Sequence, residues 1–203
     1  MIDAYLTIKS SALHKITRKK SRFIALVSAA ASLDDVQEQL DKARKHYHDA
    51  THHCSAYRLL IEDSVLEGST DDGEPSGSAG LPMLHQLAGQ DLCNVLAIVV
   101  RYYGGTNLGV GGLVRAYSDA VSEALEQTTI ISRALSAHIT IRFPVEVNSS
   151  VMSTLHRFPA QIEALVYEEP VRVELSLPPS HVGALRAALT EATGARVKME
   201  VAS

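Results

Sequence analysis

The uninterrupted apolar run Val95-Leu96-Ala97-Ile98-Val99-Val100 constrains this chain more than any other segment. Its length and β-branched content predict a strand buried on both faces. It passes into Arg101-Tyr102-Tyr103-Gly104-Gly105 and then Thr106-Asn107-Leu108-Gly109-Val110-Gly111-Gly112. After the glycines, Leu113, Tyr117, Val121 and Leu125 recur at helical spacing, and Ala116, Ala120 and Ala124 form a small-residue stripe that lets a neighbouring element approach closely. The layout is strand, glycine loop, helix.

Upstream, Phe23-Ile24-Ala25-Leu26-Val27 predicts a strand, and Leu33, Val36, Leu40, Ala43 and Tyr47 predict a helix started by a capping box of Ser32 and Asp35. Cys54 to Ile61 predicts a further strand. The stretch from Glu62 to Gly80, rich in Gly, Ser, Asp and Pro, is expected to be a functional or mobile loop without a packed element.

From Ser136 the pattern changes. Ile139, Ile141 and Phe143 alternate with polar residues, a short helix carries Val151, Met152 and Leu155, and a strand runs around Ile162 to Val166. Val171, Val173, Leu175 and Leu177 define the next strand, Val182, Leu185 and Leu189 a helix stopped by Gly194, and Val197, Met199 and Val201 the last strand. This β-α-β-β-α-β order predicts a ferredoxin-like domain with one sheet face covered by helices. The expected division is residues 1–133 and 134–203, in an α+β protein.

Of the 203 residues, 46% are apolar and 21% charged, as in a globular chain. No apolar run approaches the ~20 residues of a membrane helix, and the first residues lack the features of a secretory signal, so a cytoplasmic location away from membranes is expected. Cys54 and Cys93 are expected to be free thiols. Net charge is −4, and a split after Ala134 leaves 13 basic and 16 acidic side chains in the first part against 6 and 7 in the second. Neither part has the basic excess of a strong non-specific DNA binder.

Several motifs together resemble the signature of the IMPACT family: Arg101-Tyr102-Tyr103-Gly104-Gly105, Leu108-Gly109, and Gly111-Gly112-Leu113-Val114. Lys20-Ser21-Arg22-Phe23-Ile24, His52-His53-Cys54 with Ala56-Tyr57, and Asp71-Asp72-Gly73-Glu74-Pro75 followed by Gly77, Ala79-Gly80 and Pro82-Met83-Leu84 agree with it. The appended second domain is similar to the bacterial YigZ type. The resemblance implies a first domain with the fold of the second domain of ribosomal protein S-five and domain four of elongation factor G. It implies a second domain similar to elongation factor G domain five. Eukaryotic members act in translational control through a chain that also carries an N-terminal RWD domain. No room for such a domain is expected before Phe23, so the kinase-pathway role is not carried over. The resemblance supplies no catalytic residues.

The glycine loop is the leading candidate site, because backbone N–H groups at a helix start make an anion cradle. Its expected members are Arg101, Tyr102, Tyr103, Gly104, Gly105, Gly109, Gly111, Gly112 and Arg115. It matches neither a Walker A loop nor a dinucleotide fingerprint, and tight turning or close packing is the competing explanation for the glycines. Asp71, Asp72 and Glu74 are candidates to hold Mg²⁺ opposite a phosphate, against the alternative of a solvated turn. His52 and His53 are grouped with the cleft, but neighbours on a strand face opposite ways, so one is expected to be buried and hydrogen-bonded while the other lines the cleft. His52 and Cys54 share one strand face, but the set is incomplete for zinc and lacks an orienting group for nucleophilic catalysis.

Lys15, Arg18, Lys19, Lys20 and Arg22 form the densest basic run, which a solvated edge or RNA phosphates would explain. Two functions follow from these features. One is a non-enzymatic factor binding RNA, the ribosome or a translation-related protein. The alternative is an enzyme binding a nucleotide or phosphate through the glycine loop and acidic turn.

Overall fold

The structure, a computed structural model, describes residues 1–202. It divides into two compact units, Leu6–Arg133 and a second formed by Ala134 onward together with Met1–Tyr5.

The element order begins with β1 (Ala4–Ile8), β2 (Ala12–Arg18), β3 (Ser21–Ala29), α1 (Leu33–His46), β4 (His52–Ile61) and β5 (Ser64–Thr70). It continues with α2 (Gly80–Gly89), β6 (Val95–Tyr102), α3 (Val110–Leu125) and β7 (Ile130–Ala134). Five strands form an antiparallel sheet in the order β2-β3-β6-β4-β5, while β1 and β7 pair as a separate ribbon.

The apolar run occupies the centre of that sheet as β6, and its alternate side chains enter two different cores. Val95, Ala97 and Val99 pack with Phe23, Cys54, Leu113, Tyr117 and Val121 under α2 and α3. Leu96, Ile98 and Val100 pack with Ile24, Val36, Leu40 and Leu59 under α1. Each fully buried aliphatic side chain of this kind contributes about 1.5–3 kcal/mol relative to exposure. The small residues Ala116, Ala120 and Ala124 of α3 are all buried, which lets the helix lie close to the sheet.

The expected loop from Glu62 to Gly80 is corrected in its first half. Ser64–Thr70 is an edge strand paired with β4, from Ile61 opposite Ser64 to Ser55 opposite Thr70. Its polar composition suits an edge, because only one side of its backbone joins the sheet. Within Gly80–Gly89, Pro82, Met83, Leu84 and Leu87 are buried, a helix too short for its spacing to stand out.

The smaller unit contains β8 (Ala137–Phe143), α4 (Asn148–Leu155), β9 (Gln161–Val166), β10 (Val171–Leu177), α5 (Val182–Thr193) and β11 (Lys198–Val201). Its sheet has the order β11-β8-β10-β9 with antiparallel neighbours, so the chain follows the β-α-β-β-α-β path. Ile139, Ile141, Phe143, Val173 and Leu175 face Val151, Leu155, Leu185 and Leu189 in one core. Gly194 ends α5 in the left-handed conformation, φ 60° and ψ 43°, where glycine avoids the strain of a Cβ. On the polar sheet face Arg142 pairs with Glu200 at 2.8 Å and Arg172 with Glu174 at 3.6 Å, so both arginines of the strands lie beside a carboxylate.

Candidate functional site

The first turn of α3 opens onto a cleft of ≈ 510 Å³ lined by residues that include His52, Glu74, Arg101, Tyr103, Gly109 and Val110. Sheet registry delivers two of them: His52 on β4 lies opposite Arg101 on β6. Glu74 comes from the turn after β5, so the acidic turn and the glycine loop meet at one place.

Arg101 is 5% exposed and its charge is locked by neighbours. Its Nη1 donates to Glu74 Oε1 at 2.5 Å and Nη2 to Ser21 Oγ at 3.4 Å, while its guanidinium lies 5.4 Å from the Phe23 ring and 5.5 Å from the Tyr103 ring. Its Nε–H has no hydrogen-bond partner among the described residues. Glu74 also accepts from the Tyr117 hydroxyl at 2.8 Å. Cys54 lies beyond, with its Sγ 3.3 Å from the Tyr117 oxygen and 3.0 Å from the Asp71 carbonyl, either of which accepts its proton. Burial pushes the Cys54 thiol up to about 12 and, as the leading cause, drives the Tyr117 phenol upward too. Both therefore stay protonated at neutral pH, and Cys54 is no thiolate nucleophile.

His52 Nδ1 lies 2.8 Å from the Asp72 carbonyl oxygen. A carbonyl only accepts, so Nδ1 carries a proton, and Nε2 lies 3.9 Å from Glu74 Oε1. The alternation of β4 turns His53 away from His52 and Cys54. His53 Nε2 donates to the Tyr47 carbonyl at 3.1 Å, and its backbone N–H donates to Asp72 Oδ2 at 2.6 Å. Of the two histidines grouped with the cleft, His52 lines it and His53 is the buried, hydrogen-bonded one, the division that the two-residue period of a strand predicts.

The carboxylates part company as well. Asp71 accepts the backbone N–H groups of Gly77, Ala79 and Gly80 at 2.8, 2.9 and 2.8 Å and holds the turn onto the start of α2. Burial pushes its carboxyl up, but those three hydrogen bonds outweigh burial and hold it below the ordinary carboxylate value. Asp72 faces His53 and lies 3.6 Å from Arg44. Among the described residues no three His, Cys, Asp or Glu side chains gather for a metal ion. The Mg²⁺ expectation for Asp71, Asp72 and Glu74 fails because each carboxylate already serves a different partner.

The glycines separate by physical role. A Cβ on Gly104 would fall on the Lys20–Ser21 backbone, so close approach explains it. Gly105 and Gly109 have φ of 79° and 74°, where L side chains are strained, and a Cβ on Gly112 would press on Leu108. Gly111 has neither reason: open space surrounds it and its φ is not positive. No side chain caps α3, and the N–H groups of Val110 and Gly111 have no acceptor among the described residues.

Gly112 and Arg115 line a second pocket of ≈ 240 Å³ with Arg18, Lys19, Leu108 and Asp119. Lys19 and Lys20 form the two-residue turn between β2 and β3, with φ of 45° and 67°. Tyr102 lies on the opposite sheet face, where its hydroxyl donates to Asp49 at 2.7 Å and Arg22 sits 4.6 Å over its ring. Sequence reasoning missed Ser21, Thr51 and Tyr117 as supports. Ser21 Oγ accepts the Gly104 N–H at 3.1 Å and Thr51 Oγ1 the Tyr103 N–H at 3.1 Å. Only their positions beside the recognised motifs hinted at this.

The fold and this cleft define a two-unit α+β protein built around a strand, a glycine loop and an uncapped helix. The family model described as the Impact N-terminal domain matches residues 19–125. The chain is 34% identical to the IMPACT family member YvyE of Bacillus subtilis over 196 residues, covering 97% of this chain and 90% of that protein. It is 35% identical to the IMPACT family member YigZ of Escherichia coli over 174 residues, 85% of each chain. The crystal structure of a hypothetical protein superposes with a TM-score of 0.70 at 30% identity, over 100% of this chain and 99% of its own. The chain belongs to the IMPACT family.

Proposed function

We propose that this protein is a non-enzymatic factor of translation that grips RNA backbone phosphates beside the start of α3. One observation carries the reading: folding brings Lys19 and Arg115, far apart in sequence, onto a single pocket next to free helix N–H groups. Lys19 and Lys20 hold both positions of a turn that favours Asn-Gly, and each left-handed non-glycine residue costs on the order of 1–3 kcal/mol. That cost has an explanation if the ammonium groups serve a ligand. Arg115 is exposed and makes no ion pair among the described residues, so its charge is available to an anion. The resemblance of the larger unit to the second domain of ribosomal protein S-five and domain four of elongation factor G supports the assignment. So does the elongation factor G domain-five fold that the family resemblance implies for the smaller unit, both being expectations from that resemblance.

The test is binding of single-stranded and duplex RNA, followed by fluorescence anisotropy over a salt series. Saturable binding is expected, with Arg115→Ala weakening it and lowering the salt slope by about one unit. Absence of saturable binding to either RNA form overturns the reading.

The second reading, an enzyme acting on a phosphate ester, gains support from His52, whose ring is oriented through Nδ1 so that Nε2 faces the cleft. Phosphate release from a nucleotide panel, lost in His52→Ala, distinguishes it from binding alone.

A further inference from the structure

The α1 side of the large sheet carries a groove of ≈ 400 Å³ that the cleft does not use. Its floor is a row across three strands: Leu13 on β2 lies opposite Leu26 on β3, and Leu26 opposite Ile98 on β6. Cover thins along this row toward the sheet edge. Ile98 is 3% exposed, Leu26 is half-buried and Leu13 is 47% exposed. Gln39, Lys42, Ala43, His46 and Tyr47 form the wall on the α1 side. β2 is the last strand of the sheet, so the outer side of its backbone has no partner strand among the described residues.

The adjacent row begins with Lys15, opposite Ile24, which is opposite Val100. Lys15 is exposed and makes no ion pair among the described residues. The other cations of β2 are engaged on the α3 side: His14 lies 2.9 Å from Glu123, and Arg18 lies 3.0 Å from Asp119. Lys42 adds a second cation at the groove, partly offset by Glu38 at 2.7 Å. β2 itself, Ala12 to Arg18, contains no acidic residue.

We infer that β2 and the groove beside it dock an extended acidic segment of a protein partner, which adds to the sheet as a further strand. Main-chain hydrogen bonds along the free edge supply affinity, and side chains on the groove face supply selection. An added strand continues each row by one residue. The position beside Leu13 takes an apolar side chain, and the position two residues away on the same face, beside Lys15, takes Asp or Glu. The recognised pattern is therefore an apolar and an acidic residue two positions apart, the acidic one first when the strand adds antiparallel, as every pair in this sheet does. A second copy of this chain is disfavoured at the same edge, because β2 paired with β2 sets basic residues against basic residues.

The test selects a random peptide library displayed on phage against the full chain, with Leu13→Glu as the counter-target. Enriched peptides should share an apolar and an acidic residue two positions apart. A synthetic version should bind the wild-type chain at least about tenfold more tightly than Leu13→Glu, equal to ~1.4 kcal/mol. Methylating its edge-facing backbone nitrogens should abolish binding. Lys15→Glu should reverse the preference to a peptide with lysine at the acidic position, which decides the matter even if Leu13→Glu unfolds. Enrichment without an acid, or binding indifferent to backbone methylation, overturns the inference. A dimer on size-exclusion chromatography that Lys15→Glu alters likewise overturns it, by assigning the edge to a second copy.

Discussion

The starts of α1 and α3 solve the same problem in opposite ways. At α1 the side chain of Ser32 accepts from the Asp35 N–H at 3.1 Å, and Asp35 Oδ2 accepts the N–H groups of Ser32 and Ala31 at 3.0 and 2.8 Å. At α3 the residue before the helix is Gly109, no side chain reaches the first turn, and the nearest buried carboxylate, Glu74, is bound to Arg101. A helix start leaves four N–H groups without intrahelical acceptors, and a side-chain cap removes part of that cost. The difference teaches that α1 is finished by its own sequence, whereas α3 is left open where the cationic turn and the cleft converge.

The largest expected effect tests whether the open end depends on its buried ion pair. Glu74→Ala leaves Arg101 uncompensated under the cleft and should lower stability by about 3–5 kcal/mol in urea denaturation. A loss below ~1 kcal/mol would falsify the assignment of Glu74 as the partner that holds the site together.

Next comes the strained turn. Replacing Lys19 with Asn and Lys20 with Gly suits both left-handed positions and should stabilise the protein by about 1–2 kcal/mol while weakening RNA binding. If stability rises and RNA affinity is unchanged, the lysines do not serve the α3 site.

The two helix starts are compared directly by Ser32→Ala and Gly111→Ala. The first should cost about 1 kcal/mol by removing the α1 cap. The second should add roughly 0.5–1 kcal/mol, because Gly111 needs neither its open space nor a special φ for folding. Thermal melts of the two variants should therefore shift in opposite directions, and Gly111→Ala should also reduce anion affinity.

The smallest effect is local and depends on pH. The Asp71 carboxyl is held below its unfolded value, so its contribution is fully present above about pH 4 and is lost as pH falls through the depressed folded value. Hydrogen exchange at the Gly77, Ala79 and Gly80 amides should accelerate over that acid range, before the sheet amides respond. Equal acceleration throughout the sheet would show that this turn is not an independent element.

Much of the architecture was legible in local pattern. The continuous run at Val95–Val100, the Ser32 and Asp35 capping box, and the strict alternation from Ile139 onward each encode their element through nearest-neighbour chemistry. β5 and α2 were not legible: Ser64–Thr70 is polar and becomes a strand only by pairing with β4, and Gly80–Gly89 becomes amphipathic only once the sheet gives it a face to cover. At the candidate site, the sequence located the glycine loop and the acidic turn but not the division of labour among their side chains.

The sequence by itself determined the family, the order of the elements and the small set of residues around which a site could form, because motifs and hydrophobic periods are properties of adjacent residues. Only the tertiary structure decided that Glu74 neutralises Arg101, that Asp71 staples a turn, and that Lys19 meets Arg115. Those outcomes depend on strand register and on which buried charge finds a partner in a low-dielectric interior, and neither is written in residue spacing.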